Sequence, residues 1–132
     1  HVWLIIVGPS LDKKCYDTLR IAITGDEVAG GRGSEEELLQ QEGVVYLPPL
    51  PHPELIGLMR TSFAVVNSSK AEGMCGSLLE AMLIGKLILA RAVPGNLELV
   101  RHRLTGLLFS SPDEFVRLAS EALENEEEVV RI

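Results

Sequence analysis

Aromatic residues are scarce in this 132-residue sequence, at 5 %, so its core must be built from Leu, Ile, Val and Ala. Positive charge is scarce too. Twelve Lys and Arg stand against nineteen Asp and Glu, a formal net charge of −7. Such a field opposes nucleic acid and anionic membranes, and no basic stripe interleaved with aromatics offsets it. Both classes of partner are therefore excluded from the reading. The two cysteines, Cys15 and Cys75, stand far apart. With no CxxC and no Cys/His ligand spacing, they read as free thiols in a reducing compartment, and no metal site is expected. No apolar run is long enough to span a membrane. The opening "VWLIIVG" is short and lacks a basic flank, so it reads as neither anchor nor signal peptide, and the expected location is the cytoplasm. GxxxxGK[ST] is absent. The glycines of "TGDEVAGGRG" do not follow a strand directly, so residues 24–33 read as a loop and not a phosphate cradle.

What is present is an ordinary globular balance, 46 % hydrophobic and 23 % charged, on a chain long enough for one compact domain with a core. Short apolar runs alternate with helical patterns. "VWLIIVG" reads as a strand buried on both faces. Ser10 or Asp12 caps a helix over roughly 12–22, and Ser34 caps another over "EEELLQQ". "GVVYLPPL" is a strand stopped by prolines, and Pro53 opens the next helix. "FAVVNSS", "KLILARA" and "TGLLF" are further strands. "LLEAMLI" is a helix closed by Gly85, "PGNLELVRH" holds a short one, and Ser111-Pro112 begin a final amphipathic helix before an acidic tail. The alternation defines an α/β fold, a doubly wound parallel sheet resembling one Rossmann-like half. Such sheets bind ligands outside the carboxyl ends of their strands. The loops after Val7, Leu47, Asn67 and Ala92 are the candidate site wall.

The loop "NSSKAEGMCGS" is the most informative of these. Small residues keep its backbone accessible, and the helix behind it presents unpaired N–H groups from about Gly76 to Leu79. Glu72 and Glu80, with seven residues between them, are carboxylates able to accept from sugar or ribose hydroxyls. Each has a plainer alternative. Ser77-Leu-Leu-Glu80 fits a capping box, with Glu80 in the first helical turn, and Glu72 fits a solvated loop acid. Met74 reads as a packing residue. Cys75 stands near a helix start without a partner histidine, which argues against a nucleophile. His52 and His102 read as surface or capping residues.

The run "SSKAEGMCGSLLEAMLIGKLILARAVPGNLELVRHRLTGLLF" resembles the C-terminal half of retaining GT-B glycosyltransferases of the group 1, or family-four, type. Its signature there is E-x7-E, here Glu72 to Glu80, in a strand–loop–helix setting followed by "TGLLF". "LIIVG" and "VVYLPPL" stand where that family has two upstream strands. Within the family the chain is similar to the animal group of glycosyltransferase 1 domain-containing proteins. The likeness is strong over 63–109 and thin over 9–42.

The resemblance implies a donor-binding half that holds a nucleotide-sugar, UDP- or GDP-linked, as substrate and uses no separate cofactor. It implies that Glu72 contacts the transferred sugar as the catalytic acid of the motif. The backbone of Gly73, Met74, Cys75 and Gly76 would serve sugar and phosphates. The helix start at Ser77, Leu78 and Leu79 would face the diphosphate, and Glu80 would hold the ribose. Tyr46, Leu47 and Leu50 lie where the family contacts the base. The implied reaction is sugar transfer with retention and no active-site metal. The family's diphosphate-gripping basic pair and its acceptor-binding N-terminal half would precede His1, so this piece is expected to be inactive alone. Leu87 stands in place of a usual proline, and Pro48-Pro49 in place of a glycine. A half without its partner is expected to expose an apolar wall and to pair with a second copy. A GT-B-like domain serving binding or assembly without catalysis is the alternative.

Overall fold

A computed structural model of the chain describes residues 2–8, 40–41 and 43–125. Two compact units are found, 1–52 and 53–132. In the first, strand β1 (Leu4–Val7) pairs in parallel with β3 (Val44–Leu47). Strand β2 (Gln40–Gln41) joins β3 from its other side, antiparallel, giving the order β1-β3-β2. The predicted helix over "EEELLQQ" therefore does not extend to Gln40 and Gln41. Gly43, at φ +88, turns the chain so that these two residues pair with Val44 and Val45. Backbone pairing to an open strand edge outweighs local helix preference here. The rest of that predicted helix, the helix over 12–22, the loop over 24–33, Cys15 and the tail from 126 lie outside the described residues.

The expectation that β1 is buried on both faces is corrected. Leu4 and Ile5 are 45 % and 40 % exposed. Among the described residues β1 is an edge strand, bonded to β3 alone, and an edge does not receive the two-sided cover of a central strand.

The second unit holds strands β4 (Ala64–Asn67), β5 (Leu87–Arg91) and β6 (Leu107–Phe109), all parallel, in the order β4-β5-β6. Helices α1 (His52–Thr61), α2 (Gly76–Leu83), α3 (Pro94–Leu99) and α4 (Pro112–Glu124) complete the described elements. In α1, Glu54 lies in the first turn and Arg60 in the last, each complementing the helix dipole.

β5 explains the core. Side chains alternate along a strand, so its neighbours point to opposite faces. Ile88 and Ala90 pack with Cys75, Leu78, Ala81 and Val100 on one side. Leu89 packs with Leu107, Phe109, Leu118 and Ala122 on the other. One face is thus covered by α2 and the other by α4, the double winding expected from the alternation of elements. The second unit is thus α/β, a parallel sheet wound on both faces in the Rossmann-like manner.

The helix ends show how the chain is punctuated. Gly85, at φ +68, follows α2. Its N–H donates to the Met82 carbonyl at 3.1 Å, and the Lys86 N–H donates to Ala81 at 2.9 Å. These two bonds form a Schellman end. At the start of α4 the Ser111 hydroxyl accepts from the Glu114 N–H at 3.2 Å. The Glu114 carboxylate accepts in return from the Ser110 N–H at 2.8 Å. Pro112 takes the first helical position, where its missing N–H costs nothing.

Candidate functional site

The loop between β4 and α2 leaves the carboxyl end of a parallel strand. Its first residue of consequence is Asn67, the last of β4 and buried. The Asn67 Nδ2 donates to Glu72 Oε1 at 3.2 Å and to Cys75 Sγ at 3.1 Å. Its Oδ1 accepts from the Ser69 N–H at 3.2 Å and from Asn96 Nδ2 at 3.1 Å. Asn96 lies in α3, is fully buried, and also donates to the Arg91 carbonyl at 2.9 Å. Two buried asparagines therefore tie the Glu72 loop to the ends of β4 and β5. Matched donors and acceptors are what permit them in a core. The exception is Asn96 Oδ1, which has no partner among the described residues.

Glu72 is half-buried. Hydrogen bonds from Ser69 and then Asn67 hold its carboxyl below the ordinary glutamate value, against a smaller opposing effect of burial. It is thus kept as a carboxylate that is already hydrogen-bonded on its protein side. Gly95, the second residue of α3, packs against the backbone carbonyls of Glu72 and Gly73. No side chain fits between them.

Helix α2 begins at Gly76, with Cys75 as its N-cap in extended conformation (φ −80, ψ 104) and no side chain capping it. The Ser77–Glu80 capping box does not form. Ser77 is the second helical residue and Glu80 the fifth, past the first turn, because the helix starts two residues ahead of Leu78. The Ser77 hydroxyl instead lies 3.2 Å from Cys75 Sγ. Cys75 is a buried free thiol between Asn67 and Ser77. Met74 is 74 % exposed, which overturns its reading as a packing residue. Gly73 and Gly76 are exposed, Leu79 and Glu80 are half-buried, and Leu78 is fully buried.

Glu72, Gly73, Met74, Cys75, Gly76, Ser77, Leu78, Leu79 and Glu80 all lie in the second unit, on one loop and the helix it enters. Tyr46, Leu47 and Leu50 belong to the first unit, at the end of β3 and just after it. His102 Nδ1 accepts from the Leu108 N–H at 2.9 Å, an exposed structural bond. Among the described residues no group of three His, Cys, Asp or Glu side chains could hold a metal ion, and no helix is long and apolar enough to cross a membrane.

Sequence reasoning missed Asn67, Asn96 and Gly95 as parts of the site. A signal existed. Both asparagines interrupt apolar runs, in "AVVNSS" and "PGNLELV", where an uncompensated amide would be costly.

The geometry is that of a strand-end loop entering an uncapped helix in a parallel α/β unit. The whole chain, residues 1–132, matches the family described as glycosyl transferases group 1, and it belongs to that family. The Xenopus tropicalis glycosyltransferase 1 domain-containing protein 1 is 39 % identical over 131 residues, 99 % of this chain and 33 % of that protein. A subunit of the Arabidopsis thaliana phosphatidylinositol N-acetylglucosaminyltransferase is 29 % identical over 112 residues, 83 % of this chain and 25 % of that protein. Among solved structures, Anabaena HepE in complex with UDP-glucose matches with a TM-score of 0.78 at 26 % identity, over 98 % of this chain and 33 % of that one. The same protein in complex with UDP matches at 0.77. The chain thus spans a third or less of the length of these relatives.

Proposed function

We propose that residues 1–132 form the nucleotide-sugar-binding half of a retaining glycosyltransferase whose acceptor-binding half lies elsewhere in a longer chain. Glu72 accepts from hydroxyls of the transferred sugar. The backbone N–H groups of residues 73–76 and the start of α2 hold the sugar and the diphosphate. Glu80 serves the ribose, and Tyr46, Leu47 and Leu50 serve the base. The observation that carries this reading is the Glu72 carboxylate, held by Asn67 Nδ2 at 3.2 Å, in the loop that enters a helix start no side chain caps. Uncapped N–H groups and the helix dipole favour an anion, and holding the departing diphosphate lowers the barrier to its release. The UDP and UDP-glucose complexes of the related HepE favour a uridine nucleotide as first probe.

Calorimetric titration with UDP, GDP and UDP-glucose tests it. Binding of a nucleoside diphosphate that weakens in Glu80→Ala supports the reading, and no binding of any of the three sinks it. Turnover by the longer chain that disappears in Glu72→Ala separates an enzyme from a non-catalytic binding or assembly domain. Pairing of two isolated copies is part of the same proposal. Gel filtration showing only monomer at high concentration would remove that part.

A further inference from the structure

We infer that Asn67 is the positioning residue for Glu72, and that Asn96 locks Asn67 in the one orientation that can serve. The inference rests on the reading that Glu72 meets the donor sugar. A side-chain amide has two donors and two acceptor sites. Asn67 uses all four, on Glu72, Cys75, Ser69 and Asn96. Rotated by half a turn, it would turn its oxygen on the Glu72 carboxylate and its NH2 on two donors. Only one of the two orientations is therefore allowed. Asn96 is fixed by the same logic, because both partners of its NH2, Asn67 Oδ1 and the Arg91 carbonyl, are acceptors. The bonds share one sense: Arg91 carbonyl, Asn96 amide, Asn67 amide, Glu72 carboxylate. The end of β5 thus dictates that a donor faces Glu72.

A donor at Oε1 selects the ionised carboxylate and fixes its direction, leaving its other acceptor sites for ligand hydroxyls. Glu72 sits on an exposed stretch, with Ala71, Gly73 and Met74 open to solvent. Ser69 also bonds this carboxylate, and Asn67 Oδ1 holds the Ser69 N–H, so without Asn67 both tethers loosen and more of the ordering falls to the ligand.

The test uses the full chain with glutamate Cδ labelled, and UDP and UDP-glucose as probes. In Asn67→Ala, Glu72 titrates at higher pH than in the parent. UDP-glucose affinity falls by about tenfold, the scale of one hydrogen bond to a charge, while UDP affinity changes less than about twofold. Asn96→Ala moves both readouts the same way, by less. If Asn67→Ala does not fold, Asn67→Ser keeps a polar group at 67 but is too short to reach Glu72, and the same shifts are expected. A merely structural asparagine would lower the melting temperature and leave the Glu72 midpoint unchanged. That outcome overturns the inference. Glu72→Gln separates the two readings. If it leaves UDP-glucose binding untouched, the reading of the site fails, and the positioning role is then judged on the Glu72 midpoint alone: a shift supports it, no shift overturns it.

Discussion

Gly95 and Gly73 meet backbone to backbone. A Cβ built at Gly95 overlaps the carbonyl oxygens of Gly73 and Glu72 and stands 2.7 Å from the Gly73 carbonyl carbon. The obstruction is main chain, which cannot swing aside as a flexible side chain can. Gly95→Ala must therefore displace the Glu72 loop or helix α3. Its expected cost is about 1–3 kcal/mol, typical of overpacking, read from urea denaturation. UDP-glucose affinity should fall with it. A Gly95→Ala protein of parental stability and affinity would show that the contact does not set the loop.

Gly85 tests a different property of glycine. Nothing lies within 4 Å of a Cβ placed there, but its φ is +68. Gly85→Ala should cost about 1–2 kcal/mol through the left-handed backbone alone, seen as a lower denaturation midpoint. Donor binding should be unaffected, since Gly85 closes the far end of α2.

Among the described residues, two Ser-x-x-Glu sequences stand at helix starts, and only one acts as a cap. Ser111→Ala should lose about 1 kcal/mol, because Ser111 bonds the Glu114 N–H. Ser77→Ala should stay within about 0.5 kcal/mol, since Ser77 is already inside α2. Equal losses in paired melting curves would contradict the assigned helix starts.

Among the described residues, acid should act through two glutamates. Ser69 and Asn67 lower the Glu72 pKa, and Arg103 lowers that of Glu121, which it grips through bonds of 2.7 and 2.9 Å. A glutamate whose folded pKa lies below its unfolded value adds stability above the unfolded value. It loses that contribution as pH falls through the folded value. Stability should therefore drop below the ordinary glutamate value of 4.5. The drop should be shallower in Glu72→Gln and in Glu121→Gln. Urea midpoints taken across this range, at low and high salt, would check it, with salt weakening the exposed Arg103–Glu121 pair more.

The order of elements was legible because alternating short apolar runs and helical patterns have few solutions. Leu87 to Arg91 read as a strand, and it is the central strand of its set. Local signals misled where they had competitors. Gln40 and Gln41 carry helix preference, but the turn at Gly43 brings β3 back to pair with them. Ser77 matched a cap pattern that the helix passed by, whereas Pro112 left Ser111 no alternative. The loop bearing Glu72 was found from its position after a strand. The asparagines behind it were not, because Asn67 and Asn96 meet across 29 positions of sequence. Amide-to-amide bonding of that range has no periodicity to betray it.

β5 carries hydrogen-bonded neighbours on both edges and apolar cover on both faces. Its backbone amides can meet deuterium only when the second unit opens as a whole. They should be the slowest to exchange there, with Ile88 and Leu89 marking the global limit. The site loop rests on the end of that strand through Arg91 and Asn96, so its anchor should lie in the part of the second unit that opens least often.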